Sequence, residues 1–160
     1  MKLTRQRAAV MYDNLGSMAL GYLNEDVLEV VINNYNALGK VASDLKTLNE
    51  ELHKRMYAGV DEKDVNGMFR LVVSGKMAEA KEKYPELWPV FEKHNHLSKK
   101  LSVKEVEVEI EKVDVDAFIK GVLKGKKDAP IAEIKEVFAP MLEVRFDNEC
   151  DFSEIDEIMK

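Results

Sequence analysis

From Ala8 onward, apolar residues recur in alternating steps of three and four, at Ala8, Met11, Leu15, Met18 and Tyr22. That spacing gathers them on one stripe of a helix, and Thr4 supplies the side-chain oxygen that caps a helix beginning at Arg5. Gly21 to Glu25 reads as a turn. Beyond it, Val27, Val31, Asn34, Leu38, Val41, Leu45, Leu48 and Leu52 keep the same alternation over about four heptads, which predicts a second helix from Asp26 to Tyr57, ended by Gly59. At ~1.5 Å per residue the second helix reaches about 48 Å and the first about 27 Å. Paired as an antiparallel hairpin, the longer helix must overhang. Its uncovered seam of Leu45, Leu48, Leu52 and Met56 needs cover from later chain or from a second subunit, so these four are the candidate interaction residues. Asn34 has two readings, a polar residue that fixes register inside the seam or a half-exposed one where the stripe drifts.

Further helices follow. Asp61 to Val73 carries Val65, Met68, Phe69, Val72 and Val73 and stops at Ser74-Gly75, and a shorter piece runs from Met77 to Tyr84, before Pro85. Pro89 suits a first helical turn, so Val90 to Lys99 is expected to be helical, with Trp88, Phe91 and Leu97 facing inward. At Ser102 the period changes to two. Val106, Val108 and Ile110 alternate with Glu105, Glu107, Glu109 and Glu111, and Val113 and Val115 fall out of phase, so the strand ends or bulges near Glu111-Lys112. Asp114 or Asp116 caps a helix carrying Phe118, Ile119, Val122 and Leu123, with Gly121 to Lys127 as a basic loop. Pro130 opens a helix with Ile131, Ile134, Val137 and Phe138, which Pro140 closes. Leu142, Val144 and Phe146 form a short strand, the expected antiparallel partner of residues 105–111, and Ser153 to Asp156 caps a brief last helix.

The expected fold is α+β and mainly α: a helical hairpin with a long second helix, further short helices, and a small antiparallel, hairpin-like sheet in the C-terminal third. Residues 1–100 form the helical region and 101–160 a small α+β lobe packed on it as one compact unit.

Composition narrows the class. The 160 residues are 46% hydrophobic and 34% charged, as in a soluble globular chain. Apolar runs are short, and Lys2, Arg5, Arg7 and Asp13 interrupt the start, so neither a signal peptide nor a membrane span is expected. Cys150 is the single cysteine, flanked by Glu149 and Asp151; no internal disulfide forms, and a cytoplasmic location is expected. Of the net charge of −6, five units fall in Glu143 to Lys160, where seven acidic residues face two basic ones. The body is nearly neutral, which argues against general nucleic-acid affinity.

Val31 to Leu52, together with Val106-Glu-Val-Glu-Ile110 and Ile131 to Met141, resembles a family of small uncharacterised proteins of siphophages and prophages of Gram-positive bacteria. In that family a long helix ending in a Glu-rich turn precedes an acidic alternating strand and a short helix. The resemblance implies a phage or prophage setting and transfers no catalytic residue.

Candidate chemistry is sparse. His94 and His96, two apart on a helix, point about 200° from one another, a poor arrangement for one metal. His53 reads as a solvent-facing residue beside Glu50 and Glu51. The strand glutamates share a face and read as a solvated edge rather than a cation site. Gly121-Val-Leu-Lys-Gly-Lys-Lys127 fails as a phosphate loop in glycine spacing, in the missing hydroxyl residue and in following a helix. Lys2, Arg5 and Arg7 with Lys99, Lys100 and Lys104 make a basic patch only if folding gathers them. No catalytic, metal or cofactor-binding residue is expected, nor a small-molecule substrate or membrane partner. The expectation is a phage-encoded, non-enzymatic interaction or assembly protein, with a protein partner or self-association through the long helix. Its alternatives are an acidic counter-defence inhibitor of a host nuclease or immune protein, resting on the acidic tail, and a small metal-dependent enzyme.

Overall fold

The structure is a computed structural model and describes residues 1–143. The Val144 to Phe146 strand segment, Cys150, the Ser153 cap and most of the acidic tail lie outside the described residues. Strand β1 (Lys2–Thr4) leads into α1 (Arg5–Gly16), which runs antiparallel to the long α2 (Glu25–Met56). Then come α3 (Glu62–Val73), α4 (Met77–Lys83), α5 (Trp88–Val103), β2 (Glu105–Glu107), β3 (Val113–Asp114), α6 (Val115–Gly125), α7 (Ile131–Val137), a 3-10 turn at Ala139–Met141, and β4 (Leu142–Glu143). The chain is mainly helical α+β, as the periodicities predict.

Capping sets where these helices start. Thr4 Oγ1 accepts from the backbone N–H of Arg7 at 3.0 Å, Asn24 Oδ1 from Val27 at 2.9 Å, Asp61 Oδ1 from Lys63 at 3.0 Å, and Asp114 Oδ2 from Ala117 at 3.1 Å. Each oxygen satisfies a first-turn donor that the helix itself leaves unpaired. The first helix stops at Gly16, short of the expected Tyr22. Asn14 and Ser17 side chains bond to the carbonyls of Val10 and Asn14, and Tyr22 is 60% exposed while Leu23 takes the buried place. At the other end, α2 closes one residue before Tyr57 and the chain turns through Gly59 at φ 79°, a conformation glycine adopts without strain.

The strands pair differently from expectation. β2 is antiparallel to β1, with Lys2 opposite Glu107, Leu3 opposite Val106 and Thr4 opposite Glu105; β4 is parallel to β3. Leu142–Glu143, the described part of the expected partner strand, therefore lie beside Val113–Asp114 and not beside residues 105–111. Three residues before a helix cap suffice for the first pair, where Lys2 faces Glu107 across the ladder. The intervening α6 and α7 supply the crossover that a parallel pair requires. The strand starts at Glu105, where the alternation begins, while α5 outruns its expected end at Lys99 and continues to Val103, with the Ser102 hydroxyl donating to the Ser98 carbonyl at 3.1 Å. The strand ends at Glu107, earlier than predicted. Helix α6 likewise runs on to Gly125, so Gly121 is helical and not part of a basic loop. A β-carbon at Gly121 would lie 2.3 Å from Leu23 Cδ2 and 3.0 Å from Leu23 Cα; the glycine is what lets α6 lie against the turn before α2.

Buried side chains fall into two groups. The first unites β1, α1 and the N-terminal half of α2 with the segments after residue 105, around Met11, Leu15, Leu38, Phe118, Phe138 and Met141. Phe118 and Phe138 meet edge to face with centroids 5.7 Å apart. The second, smaller group joins the C-terminal end of α2 to α3, α4 and α5 through Tyr57, Val65, Met68, Ala80 and Phe91. Helix α2 is common to both.

Candidate interaction surface on the long helix

The four seam residues have different environments. Leu45 is buried, at 9% exposed, whereas Leu48 and Leu52 are half-buried and belong to neither core. Met56 packs against the second core. Much of the overhang is covered by the chain itself, since α5 packs on α2 and Ser98 Oγ donates to Asn49 Oδ1 at 3.0 Å. Arg5 Nη1 bonds to the Leu101 carbonyl at 3.4 Å and ties α1 to the same helix. Leu97, expected to face inward, is 39% exposed, because the α5 face that meets α2 carries His94 and Ser98 instead. Next to Leu45, an open groove of about 480 Å³ lies between α1 and α2, with Ala9, Tyr12, Gly39 and Ala42 along it and Asp13 and Lys46 at its edge. Tyr12 and Tyr35 stack at 4.6 Å near its end. The middle of α2 is thus a waist between two cores, apolar and incompletely covered.

Asn34 takes the buried reading, at 1% exposed. Its side-chain amide bonds twice to Glu111: Nδ2 donates to the carbonyl at 2.8 Å and Oδ1 accepts from the N–H at 2.9 Å. That double bond holds the segment after β2 against α2, and it falls where the alternation of Val106 to Ile110 loses phase.

His53 departs from its expected solvent-facing setting. Although exposed, its ring lies 4.9 Å from Tyr57, 5.7 Å from Phe69 and 5.6 Å from His94. His94 Nδ1 is hydrogen-bonded to Tyr57 Oη at 3.1 Å. Burial and, after it, the charge of His53 hold His94 below the ordinary histidine range, while burial raises the Tyr57 hydroxyl. Only contacts across α2, α3 and α5 reveal this cluster, since the three rings nearest His53 come from separate parts of the chain or the next turn.

Glu105, Glu107, Glu109 and Glu111 are all exposed, and Glu107 lies 3.0 Å from the amino group of Met1. Among the described residues, no cluster of three or more metal-ligating side chains exists. The basic residues are gathered only in part. Arg5 N–H donates to the Lys104 carbonyl at 3.1 Å, which brings those two together beside Glu105, but Arg7 is directed elsewhere, to the carbonyls of Glu136 and Val137 at the end of α7. Another groove, of about 400 Å³, lies between the end of α1, the end of α6 and α7, lined by Met18, Val122, Ile134 and Phe138 with Lys126 and Glu133 beside them. No local pattern points to it, because its walls join the end of α1 to α6 and α7, about a hundred residues further along the chain.

What fold and surface define is a mainly helical α+β protein with a long helix bridging two cores. No family model, curated protein or solved structure matches the chain. Among the described residues, no helix is long and apolar enough to cross a membrane.

Proposed function

We propose that the chain is a non-enzymatic interaction or assembly protein that associates with a second copy of itself through the waist of α2. The observation that supports this reading is that Leu48 and Leu52 are half-buried and join neither core while Leu97 on the adjoining α5 remains exposed. An apolar strip on paired antiparallel helices is well suited to an isologous contact, in which the same patch serves both partners. The Val31 to Leu52 and Val106 to Ile110 resemblance supports a phage or prophage setting in the cytoplasm of a bacterial host.

Light scattering over a concentration series tests the proposal. The wild-type mass should rise towards twice that of one chain, and Leu48→Asp combined with Leu97→Asp should hold it at one chain with helicity unchanged. A wild-type chain that stays monomeric at high concentration, indistinguishable from the double variant, contradicts it.

A further inference from the structure

All three histidines of the chain lie on the helices that build the second core: His53 on α2, His94 and His96 on α5. Two of them face each other with ring centroids 5.6 Å apart, and around them Tyr57 and Phe69 complete a cluster in which α2, α3 and α5 meet. The first core contains no histidine. Histidine is the side chain whose charge changes between about pH 5 and 8, so any response of the fold in that range is concentrated at one end of the molecule.

No anionic partner faces the pair among the described residues. From α2, His94 is faced by His53 and the Tyr57 hydroxyl; from α3, by the uncharged ring of Phe69. Among the described residues, no carboxylate lies within ion-pair distance of a histidine. The charged neighbours in sequence on these helices, Glu50 and Lys54 on α2, Arg70 on α3 and Glu92 and Lys93 on α5, are exposed. While His94 Nδ1 carries no proton, the Tyr57 hydroxyl donates to it. A proton on that nitrogen ends the donation and places a cation in the half-buried helix junction, where the charge of His53 opposes it.

We propose that the His53–Tyr57–Phe69–His94 cluster is an acid-sensitive latch that closes α3 and α5 onto the end of α2, and that protonating His94 opens the second core while the first stays folded. The direction follows from linkage. Burial lowers His94 from its ordinary 6.5, so the opened chain binds a proton that the closed one excludes. The stability of the latch is complete above that ordinary value and is lost as pH falls through the lower, folded-state value. Opening also uncovers Val65, Met68 and Phe91, an apolar surface that the closed form conceals.

Trp88, the single tryptophan, packs on Phe91 at 5.2 Å and reports on the second core directly. Between pH 7.5 and 5 its emission should shift to the red, and amide protection in α3 and α5, corrected for the intrinsic exchange rate at each pH, should fall by up to about tenfold per pH unit for each proton taken up, with protection in α1 and α6 unchanged. His53→Gln should move the transition to lower pH, and His53→Gln with His94→Gln should remove it. Should the double variant not fold, the shift in His53→Gln decides. A flat tryptophan signal over this range, an identical transition in the variants, or loss of protection in both cores together overturns the proposal.

Discussion

Asn34 offers both ends of its amide to the backbone of Glu111, and no other polar side chain among the described residues is buried so completely. A buried amide is tolerated because donor and acceptor are both matched, and its removal strands a peptide N–H and a carbonyl. Asn34→Ala should therefore lower unfolding stability by roughly 2–4 kcal/mol in denaturant titration. A cost within experimental error would mean that Glu111 finds water instead. The apolar stripe showed that position 34 lies in the seam, but not what it bonds to, because its partner is 77 residues away in sequence.

At the scale of elements, helices were legible and strand partners were not. Periodicity and caps located α2, α3 and α6 because the signals are local: Asp61 and Asp114 cap within their own first turns. Pairing is a choice among distant segments, and Lys2–Thr4 is too short to show an alternation of its own. Gly121 misled for a related reason, since a glycine that loosens a helix in isolation is here demanded by the close approach of Leu23. Because Val108 N–H donates to the Met1 carbonyl at 2.8 Å and β2 pairs with β1, removing residues 1–3 should leave the amides of Val106 and Val108 in fast exchange while α3 keeps its protection. Unchanged protection at those two residues would argue for a different partner.

On the scale of the whole molecule, the waist and the latch both follow from one helix serving two cores. The 32-residue α2 exceeds what α1 alone can cover, and the chain resolves the mismatch by folding α5 back along it and building a second core at the far end. The sequence showed the overhang and its seam; it did not show that His53, Phe69 and His94 would converge beside it, because no periodicity links three helices. Between the cores, Leu48 and Leu52 remain half-buried beside the covered Leu45.

Residue-resolved amide exchange at pH 7.5, measured at low and at high protein concentration, tests the waist most directly. Association there predicts that protection in the Ala42 to Leu52 stretch of α2 and around Leu97 on α5 rises with concentration while both cores stay as they were. Protection that is independent of concentration along α2, or that rises elsewhere instead, would contradict it.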